Sequence, residues 1–428
     1  MKLPPEQAQR QRLADEIHAR PFESVSTPGA VLSVATLRRG TDEDANCVAH
    51  LALLAPETDV GSPDPNHLSL RRGGLRVRWE RHTEFYSFTF IADSVPAALD
   101  ACFESDWLAA LPLGWLAALP GPMIAATQVL LLPCPGEPPH ARSVAPVFGS
   151  ELLVGSRVAD AAATVVTDLR SVGGVTRFLV FDHALNRRRA GRIAQRLIEL
   201  DTYRMMALLS LPVASQRMSE LAAEENQLAS LMDRFRAATD GDDRLLAELT
   251  DLAARVEHAM AKHGSRFSAT RAYRGIVDRR LTELRESVVP GLQPLSEFLD
   301  RRFRPAMESC AAASARQAQL SERIARAAQL LQTRSEVERE RQNQALLASM
   351  DRRQGLQLRL QETVEGLSVI AMTYYGVGIA AYLLKPLAKA LGANESLFTL
   401  LAVPLIGLAV LVNVRRLRRR LMREHPLA

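Results

Sequence analysis

The C-terminal part of the chain contains two long segments without a charged side chain, and these segments constrain the fold more than any other feature. The first covers residues 367–384, and the second covers residues 397–412 and extends through Asn413 and Val414. Each segment is close to the length that a helix needs to cross about 30 Å of hydrocarbon. The sequence therefore predicts a hairpin of two transmembrane helices, 367–384 and 397–414. A buried helical hairpin in a soluble core is the alternative.

Basic side chains predict how this hairpin lies in the membrane. The connector, residues 385–396, carries Lys385, Lys389 and Glu395, whereas arginines precede the first span and fill the tail at 415–428. Because lysine and arginine collect on the cytoplasmic side, we expect both termini in the cytoplasm, with only the connector on the far side of the membrane. The arginines that anchor this topology are Arg415, Arg416, Arg418, Arg419 and Arg420.

Small and polar residues interrupt the first span. They are candidates either to face a pore or to let the two helices approach closely, and packing is the favoured interpretation. These residues are Ser368, Thr373, Tyr374, Tyr375 and Gly376.

The net charge of the chain is concentrated in its tail. It is +5 overall, but residues 413–428 hold six arginines and one glutamate, so the remainder balances 47 basic against 47 acidic side chains. A nucleic-acid-binding surface is therefore not expected. An apolar content of 47% and four widely spaced cysteines also exclude a disordered chain and a disulfide scaffold. The charged N-terminus lacks the pattern of a signal peptide.

Residues 186–366 predict an antiparallel helical region that ends in a long stalk helix. No proline stands between Pro305 and Pro386, and apolar residues recur at three- and four-residue steps. A helix from 306 to 366 would be about 90 Å long, and its weak apolar stripe has to pack on neighbours or on copies of itself, as in a coiled coil. Two shorter helices broken near Gly355 are the alternative. Upstream, helices are predicted at 213–239, at 244–262 before His263-Gly264, and at 268–288.

Residues 1–185 alternate strand and helix patterns and predict an α/β sheet domain, so the fold class is α+β with a membrane anchor. The stretch 85–91 has apolar side chains on both faces, which predicts a strand covered on both sides. Predicted strands are 31–37, 75–79, 85–91, 124–132, 164–169 and 177–181, and predicted helices are 42–54, 95–108 and 190–211.

Motifs of known chemistry are missing from the sequence. It has no phosphate-binding loop, dinucleotide fingerprint, nucleophile elbow or zinc-binding helix. The polar residues that are candidates to converge as an acid–base set or as metal ligands are His18, Arg20, His82, Glu84 and Asp168. Structural roles are favoured for them, because strand-end carboxylates and single histidines usually cap turns or pair. The chain is therefore not expected to be an enzyme, and no cofactor or metal is expected.

Four strings along the chain resemble an uncharacterised bacterial family of membrane-anchored proteins, known only as a domain of unknown function. They are residues 18–22 (HARPF), 82–85 (HTEF), 199–209 (ELDTYRMMALL) and 357–367 (QLRLQETVEGL). The resemblance covers nearly the whole chain and implies an anchor in the bacterial inner membrane, but no activity.

The order of the segments also resembles that of CorA-type divalent-cation channels. The sequence at 367–371 (LSVIA) is similar to the sequence that leads into the first span of those channels. In the channels that span ends with Gly-Met-Asn. Here the corresponding place, 382–385, reads YLLK, and its lysine repels cations. The resemblance implies a shared architecture and assembly, without the motif that serves magnesium conduction.

Three hypotheses for the function follow. The first is an anchored, non-enzymatic homo-oligomer, whose partners are the lipid bilayer, copies of the chain and an unknown cytosolic molecule. The second is a CorA-like cation transporter or channel. The third is a membrane-bound enzyme that uses His18, His82 and Glu84.

Overall fold

The computed structural model describes residues 7, 9–10, 22–40, 42–54, 66–95, 99, 103, 106–112, 114–238, 241–390 and 395–424. The chain divides into two compact units, a first unit Met1–Ala328 and a second unit Gln329–Ala428. The described residues form an α+β fold with one mixed sheet and a very long helix.

The strands are β1 Gly29–Leu37, β2 His67–Arg72, β3 Leu75–Arg81, β4 Phe85–Asp93, β5 Met123–Pro133, β6 Val154–Val158, β7 Ala163–Val172, β8 Val175–Asp182 and β9 Ser287–Val288. The helices are α1 Asp42–Ala52, α2 Ala141–Phe148, α3 Arg187–Leu208, α4 Leu211–Ala237, α5 Asp242–Leu284, α6 Leu295–Ala390 and α7 Glu395–Glu424.

The nine strands lie in the order β2-β3-β4-β1-β5-β8-β7-β6-β9. Strands β5 and β8 pair in parallel, and the other pairs formed by the described strands are antiparallel. The hairpins β2–β3 and β7–β8 turn at Gly73-Gly74 and Gly173-Gly174, where all four glycines have positive φ. A side chain would be strained in that backbone region, so these turns depend on glycine.

Both faces of the sheet are buried. Along β5, Val129 and Leu131 belong to the core on one face, together with α3, α5 and the start of α6. Leu130 and Leu132 belong to the core on the other face, together with α1 and α2. Strand β4 is likewise buried on both faces, as its sequence predicts. This double coverage explains why the central strands are apolar throughout rather than alternating.

The helical region differs from the prediction at α5, which is one helix of 43 residues instead of two broken at His263-Gly264. Gly264 is exposed, and a glycine in an exposed helix interior costs only about 1 kcal/mol. Phe267 and Val277 beyond it are buried, and their packing outweighs that cost. The predicted helix 95–108 falls mostly outside the described residues, and Asp106–Ala110 is a short 3-10 helix. The start of α3 is capped by Asn186, whose side chain accepts a hydrogen bond from the Arg189 N–H.

The long helix α6 covers 96 residues and is continuous through Gly355. It begins before Pro305, the residue that the sequence suggested as its boundary. Buried side chains recur every three or four positions on both sides of that proline, including Leu299, Phe303 and Met307. Their common face packs into the core of the first unit and outweighs the backbone hydrogen bond that proline removes.

Candidate functional site

The second unit exposes a long apolar surface. Of the helices in the part of the chain that is described, one, Leu295–Leu383, is long and apolar enough to cross a membrane by length and composition. Its most apolar 18-residue stretch has a mean hydropathy of 1.4, and none of that stretch is buried. Leu367, Tyr374 and Tyr382 are 69%, 76% and 82% exposed. The transmembrane hairpin stays a prediction, and the exposed apolar surface of α6 is the observation relevant to it.

Within the second unit, α6 and α7 approach each other at glycines. A Cβ atom on Gly376 would lie 2.9 Å from Ile406 Cγ2, and a Cβ atom on Gly407 would lie 3.6 Å from Thr373 Cγ2. Of the five predicted pore or packing residues, Gly376 and Thr373 therefore lie where the two helices meet. Close approach at small residues is the typical contact between membrane helices.

The local surroundings of the polar candidates in the first span are also described. Ser368 and Thr373 each donate a hydroxyl hydrogen bond to a carbonyl of their own helix, at 2.9 and 2.7 Å. The rings of Tyr374 and Tyr375 meet edge to face at 5.7 Å and are otherwise exposed. In the tail, Arg415 and Arg416 are exposed on α7. Arg418, Arg419 and Arg420 also belong to α7, but their side chains lie outside the described part.

In the first unit, Glu84 connects the turn between β3 and β4 to helix α5. Its carboxylate accepts two hydrogen bonds from Arg266, at 3.1 and 3.0 Å, and one from the Tyr273 hydroxyl at 2.5 Å. Burial and this carboxylate raise the pKa of Tyr273, so the phenol stays protonated. The neighbouring His82 stacks on Phe85 with 4.2 Å between the ring centroids. Glu84 is thus paired, and the contact is typical of a structural link between sheet and helix.

Among the described members of the predicted polar set, Asp168 is not brought close to His82 and Glu84. Asp168 lies on β7, four strand positions from β4, which corresponds to roughly 19 Å across the sheet. His18 and Arg20 lie outside the described residues. Among the described residues, no group of three or more His, Cys, Asp and Glu side chains is placed to hold a metal ion.

A polar cluster that the sequence did not indicate surrounds Asp44 on α1. Its carboxylate accepts hydrogen bonds from Arg38 and Arg81, at 2.9 and 2.7 Å, and from the Tyr86 hydroxyl at 2.5 Å. Burial on its own would raise the pKa of Asp44, but the hydrogen bonds from Arg38, Tyr86 and Arg81 outweigh it and lower the pKa from 3.8 to about 2. The cluster ties α1 to the end of β3 and the start of β4.

We expect the Asp44 cluster to make the protein sensitive to acid. Because the pKa of Asp44 is lower in the folded chain than its ordinary value of 3.8, its contribution is complete above about pH 5 and is lost as the pH falls toward about 2. The loss amounts to about 2 kcal/mol of unfolding free energy. The unfolding midpoint measured as a function of pH tests this expectation. Asp44→Asn should reduce the dependence of the midpoint on pH between about pH 5 and 2. Asp251→Asn, at an exposed site on α5, should leave that dependence unchanged.

A cavity of about 310 Å³ lies between the sheet and α3. Its carboxylates are already held by arginines: Glu80 pairs with Arg78 at 2.8 Å, and Glu199 pairs with Arg280. Gln195 donates a further hydrogen bond to Glu199 at 2.7 Å. A carboxylate neutralised in this way is a poor general base.

The described cysteines are unpaired, and Cys102 lies outside the described part. Burial, with a smaller contribution from Asp44 and Glu43, raises the pKa of Cys47 to about 12. A thiol in this state is not a nucleophile at neutral pH. The observation agrees with a structural role for this residue.

The comparison with known proteins gives one family. Residues 5–421 match the family described as "Protein of unknown function (DUF3422)". No curated protein matches the chain.

Proposed function

The chain belongs to the DUF3422 family of unknown function, and from that premise we propose that it is a membrane-anchored, homo-oligomeric protein that performs no catalysis itself. In this proposal the α/β domain lies in the bacterial cytoplasm, where it meets a cytosolic partner. The helical region 186–366 holds that domain, and the two segments 367–384 and 397–414 cross the inner membrane.

The exposed apolar surface of α6 carries the proposal. Helices that are apolar on all sides belong either in a protein core or in hydrocarbon, and none of the apolar stretch in α6 is buried by this chain. Leu405 and Leu408 of α7 are also 66% and 62% exposed. Patches of this extent are rare on soluble monomers, so a lipid environment is the economical explanation.

The stretch of α6 between 340 and 366 supports the homo-oligomer. Its leucines are exposed in the single chain: Leu346, Leu356 and Leu360 are 61%, 67% and 68% exposed, and Val364 is 59% exposed. A long helix with one exposed apolar face is marginal in water. Packing against the same helix of a second copy would bury these side chains.

The alternative is cation transport of the CorA type. The observation that favours it is the exposure of the phenols of Tyr374 and Tyr375 on the first predicted span, at 76% and 70%, since a ring of copies would place such polar groups around an axis. The lysine at 385 weighs against it, because a cation at the end of the span repels other cations.

Two measurements on the purified full chain decide between these functions. In mild detergent, light scattering should give a mass that is a multiple of 47.1 kDa, and a monomer would contradict the oligomer. Reconstituted in liposomes, the protein should carry no divalent-cation flux. A flux that Tyr375→Ala abolishes and Tyr382→Ala leaves intact would replace the proposal by the transport function.

A further inference from the structure

A second cavity in the first unit, with a volume of about 420 Å³, lies where the bulge of β7 meets α3 and the first turns of α6. It shares no lining residue with the cavity between the sheet and α3. Asp168 lines it, together with Arg170, Arg204 and Arg302. The cavity thus collects one carboxylate and three guanidinium groups.

The backbone of β7 is irregular at this point. The pairing of β7 with β8 shifts register between Thr167 and Ser171, and Leu169 has a positive φ of 52°. Non-glycine residues adopt such a φ only where the surrounding structure enforces it, often at functional sites. Thr167 supports the conformation, because its hydroxyl accepts from the Leu169 N–H at 2.9 Å and donates to the Arg177 carbonyl at 2.7 Å.

Asp168 is held at this bulge with one carboxylate oxygen unused. The residue is only 4% exposed, and its Oδ1 accepts a hydrogen bond from the Arg170 N–H at 3.1 Å. Its Oδ2 has no hydrogen-bond partner among the described residues. Buried carboxylate oxygens are nearly always paired, so this oxygen is a position where a ligand donor would bind favourably.

Arg204 contributes an unused donor to the same cavity. Its terminal nitrogen pairs with Asp201, which is itself fixed by the Thr127 hydroxyl at 2.8 Å. The Nε–H of Arg204 is buried and has no partner within the described part of the chain. Asp168 and Arg204 both line the cavity, and each carries one buried polar atom without a partner among the described residues. A ligand that carries both a donor and an acceptor would satisfy the two atoms together.

The other residues that line the cavity indicate which further groups a ligand should carry. Leu208, Phe298 and Phe303 supply apolar surface, and Arg302 stacks over the Phe298 ring at 4.8 Å. Arg170 and Arg302 are exposed on their elements and add positive charge at the cavity. An anionic group would therefore bind beside the arginines and an apolar group against the aromatic rings.

We propose that this cavity binds a small zwitterion, an α-amino acid with an apolar side chain. Its ammonium group would donate to Asp168 Oδ2, its carboxylate would accept from Arg204 and Arg302, and its side chain would pack against Phe298 and Phe303. Charge-assisted hydrogen bonds of this kind are the strong ones and fix the orientation of a ligand.

Titration calorimetry on the full-length protein in detergent tests the proposal, with L-leucine as the probe. We expect leucine to bind, and isoamylamine and 4-methylpentanoate, which each lack one of its two charges, to bind at least about tenfold more weakly. Asp168→Asn and Arg302→Gln should each weaken leucine binding by a similar factor. Asp182→Asn, at the end of the neighbouring strand β8, is the matched control and should not change it.

The outcomes are distinct. Arg302 is exposed and its removal does not threaten the fold, so it keeps the test valid if Asp168→Asn fails to fold. The proposal is overturned if leucine does not bind at millimolar concentration, or if it binds Arg302→Gln as well as the unmodified chain. It is also overturned if inorganic phosphate or 4-methylpentanoate binds as tightly as leucine, since the cavity would then be a simple anion site.

Discussion

Gly191→Ala is expected to lower the free energy of unfolding by about 3 kcal/mol. A Cβ atom at this position of α3 would lie 1.8 Å from the carbonyl oxygen of Glu23 and 3.3 Å from Ser24 Cα. Both neighbours are backbone atoms, so no flexible side chain can move aside. The segment is also held in place, because the Val25 N–H donates to the Arg187 carbonyl at 3.0 Å and Arg76 donates to the Ser24 carbonyl at 2.6 Å.

The matched control for this substitution is Gly264→Ala on α5. Gly264 is helical and exposed, and a Cβ atom there would meet no atom within 4 Å. Alanine should stabilise that helix by up to about 1 kcal/mol. Thermal or urea unfolding of the two variants in the same detergent compares them directly. Equal stability of both variants would contradict the close approach of α3 to the segment 22–26.

A chain that ends at Glu340 is expected to move from the membrane fraction to the soluble fraction. This truncation keeps the first unit and also Leu331, which is 3% exposed and closes the series of buried positions on α6. It removes both predicted spans and the exposed apolar stretch of α6. Each Leu or Ile taken out of hydrocarbon costs up to about 3 kcal/mol, so the anchored state should be lost completely.

A chain that ends at Val414 is the control for the truncation. It lacks only the arginine-rich tail and should stay in the membrane pellet after an alkaline wash. If the chain ending at Glu340 also stays in the pellet, the anchor lies elsewhere in the sequence. If the full-length chain appears in the supernatant, the apolar surface of α6 is covered by protein and not by lipid.

The sequence pattern predicted strands and helices correctly where the side chains of the element itself determine its structure. It placed the central strands β1, β4, β5 and β8 within a few residues of their observed bounds, because strands buried on both faces are apolar throughout. It did not find β2, β6 or β9, which lie toward the two edges of the sheet. Strands β2 and β9 lack a buried apolar run. It also placed a helix end at Gly264, because local propensity does not include the packing of Phe267.

The candidate sites depended on contacts between distant parts of the chain. Glu84 was recognised as a candidate, but its partners Arg266 and Tyr273 follow it by 182 and 189 residues. Asp168 was also recognised, but not the bulge that holds it or the buried Nε of Arg204 in the same cavity. Such pairings follow from the order of strands in the sheet, and a single sequence does not specify that order.

The measurement that tests the membrane topology most directly is the labelling of single cysteines with a membrane-impermeant maleimide. In a chain whose four native cysteines are replaced by serine, the substitution Ala393→Cys marks the connector, and Leu427→Cys marks the tail. In right-side-out vesicles we expect Ala393→Cys to be labelled at once and Leu427→Cys to be labelled only after the membrane is opened with detergent. Immediate labelling of the tail, or protection of the connector, would contradict a hairpin with both termini in the cytoplasm.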